Sequence, residues 1–413
     1  MEKFCGIGES PLRGTFMLHI VFYFQVHQPL RLRENNVLDS NAGTDFFDEE
    51  LNRKIIRKVG EKCYLPANKL LLELINRSDG QFKVAFSITG VAIEQFRKYY
   101  PEVLESFHAL ARTGCIEFLG ETYYHSLSSL YDKEEFLSQV RMHKELMKKE
   151  FGANPTVFRN TELIYSDSLA HLVAEEGGYR VHLAEGADKI LKWRSPLYPY
   201  RSSDHRLFLL LKYYSLSDDI AFRFSNRSWP EFPLTAEKFV GWLSKLSLIE
   251  KEKRNLFVNL FMDYETFGEH QWKETGIFEF MKRLPEVVWQ TPSLSFAWPS
   301  DVIEIARYPL EALSYPYPVS WADTERDLSA WLENDMQKNA CETLYEIFSE
   351  IKAKGRHDLL EVARKLSTSD HFYYMSTKYF QDGDVHKYFS PYNTPERAYI
   401  YYMNVLARLR DLI

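Results

Sequence analysis

The sequence predicts an α/β fold: a seven-stranded parallel β/α barrel followed by a C-terminal α-helical bundle. Three observations predict it. Short β-branched and aromatic runs recur seven times in the first three quarters of the chain, amphipathic helices separate several of them, and after about Pro318 the pattern turns wholly helical. Strands buried on both faces, as in a parallel sheet, read as continuous apolar runs instead of alternating ones. Strand and helix in alternation give an α/β sheet or barrel, and seven runs come closer to a barrel.

The runs are His19 to Gln25, Phe82 to Ser87, Ile116 to Gly120, Thr156 to Arg159, Tyr179 to Leu183, Leu207 to Tyr213 and Leu256 to Met262. The first lies within FMLHIVFYF at 16–24, where His19 interrupts the apolar stretch and no small-residue cleavage site follows. It is therefore read as a buried strand and not as a signal peptide. Met17 stands just before it, and residues 1–16 are expected to be a dispensable leader. The barrel is then expected over 17–315. Its clearest helix runs from Lys133 to Phe151, with Phe136, Val140, Met142, His143, Leu146 and Met147 at helical spacing and Gly152 as the stop.

From Thr324 to Lys354 apolar residues keep helical spacing over one long stretch. A second helix is predicted at His357 to Leu366. A third runs from Thr394 to Leu412, with Thr394 at the N-cap and Pro395 at the first helical position. These make an α-helical domain over 316–413, opening in the Pro-rich stretch SYPYPVSW at 314–321 and expected to complete the cleft.

Composition narrows the function. A net charge of −7 over 413 residues removes the electrostatic case for a nucleic-acid partner. No apolar run reaches the length of a membrane helix, so a soluble cytoplasmic protein is expected. Cys5, Cys63, Cys115 and Cys341 form neither a CxxC pair nor a disulfide framework. Aromatic residues make up 15% of the chain, more than a core needs. Most serve the core, and the surplus suits a cleft in which pyranose rings pack on aromatic faces.

In a parallel barrel the active site gathers at the C-terminal ends of the strands. His27 and Gln28 follow the first strand, Glu121 and His125 the third, Glu162 the fourth, and Asp263 and Glu265 the seventh. Acids and imidazoles converge. Glycoside cleavage requires two carboxyl groups across a neutral substrate, about 5–5.5 Å apart in a retaining enzyme. One must stay ionised and the other must hold its proton. Glu162, in VFRNTELIY, has Arg159 nearby to hold its pKa down. Asp263 emerges from an apolar strand, where desolvation raises its pKa. Position alone still favours a helix cap or salt bridge for Glu162.

The segments HQP at 27–29, GCIEFL at 114–119, FRNTEL at 158–163, FMDYETFG at 261–268 and STSDHFYYM at 367–375 add to this reading. In order and spacing they resemble the five sequence regions of glycoside hydrolase family 57, most closely its archaeal-type α-amylase-like branch. The resemblance covers nearly the whole chain. It implies a retaining enzyme that acts on α-glucans or maltooligosaccharides through a covalent glucosyl-enzyme, on a seven-stranded barrel with a helical domain. The family's nucleophile falls on Glu162, preceded by Thr161. Its acid/base falls on Asp263, with Glu265, Phe267 and Gly268 matching. The resemblance further assigns His27 to a sugar hydroxyl, Glu117 to the acid of the second region and Asp370 to that of the fifth. Glu117 lies inside a strand, so a structural role stays as open as sugar contact. Phe261 and Met262 stand where well-studied transferases carry His and Asp, and Arg159 and Asn160 stand where an aromatic and an aliphatic residue are commoner.

Other candidates carry less. His125, four residues past Glu121, has metal-ligand spacing but no third ligand, and is read as a hydrogen-bonding group. Arg223, in SLSDDIAFRFSNRSW at 215–229, is assigned to a substrate loop, with a surface salt bridge as the alternative. DGDVHKY at 382–388 lacks the terminal Glu of a calcium loop and is read as a turn. No cofactor is implied, because carboxylates suffice. The rival activities are a 4-α-glucanotransferase or branching enzyme with the same two carboxylates, a metal-dependent polysaccharide deacetylase and a non-catalytic glucan-binding relative. The deacetylase needs an HxxxH pair that the sequence lacks.

Overall fold

The computed structural model describes residues 16–34, 45–249, 254–378 and 390–413. Its strands are β1 (Leu18–Val26), β2 (Val84–Ile88), β3 (Ile116–Phe118), β4 (Val157–Phe158), β5 (Val181–Glu185), β6 (Tyr200–Arg201), β7 (Phe208–Lys212), β8 (Leu256–Asp263) and β9 (Leu294–Phe296). Seven pair side by side in the order β3-β2-β1-β8-β7-β5-β4, every pair parallel. The two ends of this path then meet. Gly120, just past β3, donates its N–H to the Val157 carbonyl at 2.9 Å, and the Arg159 N–H donates to the Gly120 carbonyl at 2.9 Å. The barrel is built from the seven strands that the apolar runs predict. Two short strands were not foreseen: β6 pairs antiparallel with β7, and β9 lies along the start of β1. Neither is long enough to register as an apolar run.

Six of the seven barrel strands are buried almost throughout and β3 only in part, yet their two faces differ. In β1, Leu18, Ile20, Phe22, Phe24 and Val26 pack outward against the helices, while Val21 and Tyr23 point into the barrel. The same alternation brings Ala85, Leu119, Val157, Leu183, Leu210 and Phe261 inward, one from each remaining strand or its extension. Each aliphatic side chain so buried stabilises the fold by about 1.5–3 kcal/mol. One inward step further toward the C-terminal ends, every position is polar: Gln25, Ser87, Glu121, Arg159, Glu185, Lys212 and Asp263. An apolar layer seals the barrel, and a polar ring stands above it.

The helix Lys133–Phe151 has the predicted bounds, capped by the Asp132 side chain at one end and by Gly152 in the left-handed region (φ 64) at the other. Near the C-terminus, His357–Leu366 and Pro395–Leu412 are helical as predicted, with Thr394 accepting from the Arg397 N–H. The long helix expected from Thr324 is instead two, Ser329–Leu332 and Asp335–Ala353. Asn334 restarts the second through a reciprocal capping box with Gln337. These helices share a second core around Leu344, Phe348, Leu366 and Leu406, which reaches the barrel loops through Leu127 and Ile164. The DGDVHKY segment, and the expected leader apart from Phe16, lie outside the described residues.

Candidate active site

A cavity of about 760 Å³ opens at the C-terminal ends of the barrel strands, within the range that encloses small ligands. His27, Gln28, His125, Glu162, Asp263, Glu265 and Asp370 all line it. Glu121 stands directly behind His125. Eight of the ten residues singled out from the sequence are thus brought together.

Glu162 follows β4 on the short turn Thr161–Leu163, with φ 54 in the left-handed region that non-glycine residues seldom occupy. Such a conformation persists only where its surroundings fix it. Here the Trp321 N–H donates to the Glu162 carbonyl at 3.3 Å, and Leu163 and Ile164 close the turn onto Asn160 and Thr161. The carboxylate is held from three directions. Trp321 Nε1 donates to Oε2 at 2.9 Å, Ser369 Oγ donates to Oε1 at 2.9 Å, and His125 Nε2 lies 3.3 Å from Oε1. Burial pushes its pKa up, but the His125 hydrogen bond and charge, followed by Arg159, outweigh burial and hold it below the ordinary carboxylate value.

His125 spans two acids. Its Nδ1 is 3.2 Å from Glu121 Oε2 while Nε2 faces Glu162, so both nitrogens address acceptors and the ring is an imidazolium. Burial opposes that charge, but the two carboxylates raise its pKa to about 9. Glu121 also accepts from Gln25 Nε2 at 3.2 Å and from Ser87 Oγ, and despite burial its partner His125 draws it down to about 2. The helix Lys133–Phe151 anchors this acid. His143 accepts from the Glu121 N–H at 3.4 Å and bonds the Ile88 carbonyl at 2.9 Å through its other nitrogen.

His27 stacks on His125 with ring centroids 4.1 Å apart. Burial and that neighbouring charge lower its pKa and keep it neutral. Its Nε2 meets Asp370 Oδ2 at 2.9 Å and its Nδ1 meets Thr89 Oγ1 at 2.9 Å. An ionised Asp370 only accepts, which assigns the ring proton to Nε2.

Asp263 ends β8 on its inward row. Burial first, and the charge of Glu162 next, raise its pKa to about 6. Glu265, two residues on, is raised to about 8 by burial and by Asp263, and accepts from Tyr64 Oη and from Gln28 Nε2 at 3.2 Å. The cavity therefore holds one carboxyl fixed as an anion and another poised to keep a proton.

Two expected contacts fall outside the cavity. Glu117 faces inward at the opposite end of the barrel, where its Oε2 accepts from the Ser300 N–H at 3.0 Å and caps the turn Pro299–Asp301. Its parity matches Glu121, but it sits four residues lower on the strand. Arg223 pairs with Asp219 at 2.6 Å and with the Ser215 carbonyl at 2.7 Å, the salt-bridge alternative of the sequence reading. Conversely, sequence reasoning missed Trp321, Ser369, Gln25 and Lys212. Gln25 and Lys212 carried a signal, since Gln25 is the polar residue that ends one apolar run and Lys212 the polar residue one short of the end of another.

The sequence profile of glycosyl hydrolase family 57 matches residues 21–317, and the chain belongs to that family. It is 43% identical over 400 residues to the "Putative alpha-amylase" of Methanocaldococcus jannaschii, covering 94% of this chain and 83% of that one. Its fold is shared with a branching enzyme of Pyrococcus horikoshii (TM-score 0.69, 15% identity, covering 95% of this chain and 88% of that one). It is also shared with an α-amylase of Thermotoga maritima (TM-score 0.64, 14% identity, covering 96% and 93%).

Proposed function

We propose that this chain cleaves α-glucans with retention of configuration, using Glu162 as nucleophile and Asp263 as acid/base. In this reading the Glu162 carboxylate attacks the anomeric carbon while Asp263 gives its proton to the departing glycosidic oxygen. A glucosyl ester remains on Glu162. Asp263, now a carboxylate, takes a proton from water as that water attacks the anomeric carbon and breaks its bond to the Glu162 oxygen, which releases the sugar with retained configuration and restores both groups. The observation that carries the reading is the opposed setting of the two carboxyls in one cavity. Glu162 is kept ionised by His125 and Arg159 and is held in place by hydrogen bonds from Ser369 and Trp321, while Asp263 holds its proton up to about pH 6.

A slow fluorinated α-glucosyl donor followed by peptide mass spectrometry tests this. A sugar ester on the peptide containing Glu162, absent after Glu162→Gln, is the expected result, and an ester on another residue overturns the assignment. Maltooligosaccharide incubations separate hydrolysis from transfer, because products longer than the substrate require a sugar acceptor. A chain that binds glucan while Glu162→Gln and Asp263→Asn change nothing is a binding protein. The further reading of a cytoplasmic protein is supported by the buried thiols of Cys63 and Cys341, neither of which is in a disulfide. Among the described residues no helix is long and apolar enough to cross a membrane.

A further inference from the structure

Around the barrel, in strand order, the polar ring reads Asp263, Lys212, Glu185, Arg159 and Glu121, an alternation of acid and base. Lys212 and Glu185 stand 3.9 Å apart. Arg159 is the unusual member. It is wholly buried, and none of its three guanidinium nitrogens has a hydrogen-bond partner among the described residues. A buried cation without a partner is costly, and such a group persists where its charge or its shape is used. Its guanidinium lies 4.6 Å from the centre of the Trp321 ring and 6.0 Å from that of Tyr23. Trp321 in turn donates to the Glu162 carboxylate.

We propose that Arg159 is a positioning residue: it fixes the Trp321 ring by cation–π contact, so that the indole N–H stays on Glu162, and it supplies the fixed positive charge beneath both reacting carboxyls. This rests on the roles given above to Glu162 and Asp263. Arg159 does not line the cavity. The groups that share its surroundings are Tyr23 from β1, Glu121 past β3, Asp263 on β8, and Glu162 and His125 from the loops. Asp263 also feels Lys212 of β7 and the neighbouring Glu265, and Glu162 also feels Asp370. Arg159 favours the charged form of Glu121, Glu162 and Asp263 alike.

The sign follows. Removing the cation makes both reacting carboxyls harder to ionise, so both limbs of the kcat/KM pH profile move upward. For Arg159→Met the expected movement is about half a pH unit or more, the size that one poorly screened interior charge produces. Arg159→Lys, which keeps the charge, is expected to restore both limbs while kcat stays below the wild-type value. Trp321→Phe, which keeps Arg159 but removes the indole donor, is expected to move only the acidic limb upward. It gives the deciding profile if Arg159→Met does not fold.

A merely structural arginine lowers melting temperature and active fraction but moves neither limb. Folded Arg159→Met with both limbs in place therefore overturns the proposal, as does Trp321→Phe with its acidic limb unmoved. Failure of the underlying reading looks different, since Glu162→Gln would then retain activity.

Discussion

Replacing His125 tests the centre of the charge arrangement. His125 is 2% exposed, with φ 53, and Asn tolerates that left-handed backbone, so His125→Asn removes the imidazolium with least disturbance of the chain. The folded protein raises its pKa from 6.5 to about 9. At roughly 1.4 kcal/mol per pH unit, that gap corresponds to about 3 kcal/mol of stability. Because the folded value is the higher one, the contribution is fully present below pH 6.5 and is lost as pH rises through about 9. The same attraction draws Glu121 down to about 2, so it is counted once. Urea unfolding of wild type and His125→Asn from pH 6 to pH 10 provides the measurement. The stability difference is expected to be largest at pH 6 and to shrink by about 3 kcal/mol by pH 10. A difference that stays constant within about 1 kcal/mol would falsify the doubly paired imidazolium. The variant is also expected to lose activity on its acidic side, because Glu162 loses the partner that keeps it ionised.

Further outcomes follow from the same geometry. With Asp263 at about 6, kcat/KM is expected to fall above that pH as the acid loses its proton; Asp263→Asn is expected to lose the upper limb together with about 10²–10⁴-fold in rate, read from a pH-rate series. Ser369→Ala removes one donor to the Glu162 carboxylate; a hydrogen bond to a charged group contributes about 1.5–3 kcal/mol to stability, so urea unfolding at neutral pH is expected to show a loss of that size, and the acidic limb of kcat/KM is expected to move upward. Glu117→Gln keeps an acceptor for the Ser300 N–H far from the cavity, and is expected to leave kcat/KM within about twofold. A large rise in KM in that variant would return Glu117 to the sugar-binding residues.

The barrel was legible because its strands are buried on both faces, which writes them as apolar runs such as LHIVFYFQV and LFVNLFMD. The same burial conceals which residues face inward, since Phe22 and Tyr23 are equally apolar to a reader of the sequence. Parity becomes visible only at the strand ends, where Gln25, Lys212 and Asp263 break the run. That Glu162 and Asp263 share one cavity was legible through position and through the family's motifs. The partners of Glu162 were not: Trp321 and Ser369 lie 159 and 207 residues from it, and no local pattern reports a contact over that separation. The break at Asn334 was written in the chain as an Asn followed three residues later by Gln337, but helical spacing ran on through it. Glu117 shows the converse hazard. A motif match gives the strand and the parity, while only the register gives the end of the barrel.

The two carboxyls also draw on different parts of the chain, and this is what separates their protonation. Asp263 owes its raised pKa to the barrel, where it ends an apolar strand beside Glu162. Glu162 owes its ionised state first to His125 from the loop past β3 and then to Arg159 at the end of its own strand, and its carboxylate oxygens also accept from Trp321 and Ser369, which lie far along the chain. The segment carrying Ser369 is pinned to that loop, because the Ser369 N–H donates to the His125 carbonyl at 2.9 Å and Thr368 Oγ1 donates to the Tyr124 carbonyl at 2.9 Å. Arg364 adds an ion pair with the buried Glu135 at 2.7 Å. A barrel formed without these contacts retains Asp263 in its acid setting but leaves Glu162 without two of its donors. The hydrogen-bond set of the proposed nucleophile is therefore completed only when the segments carrying Trp321 and Ser369 dock, and docking fixes the carboxylate orientation on which the proposed two-step chemistry depends.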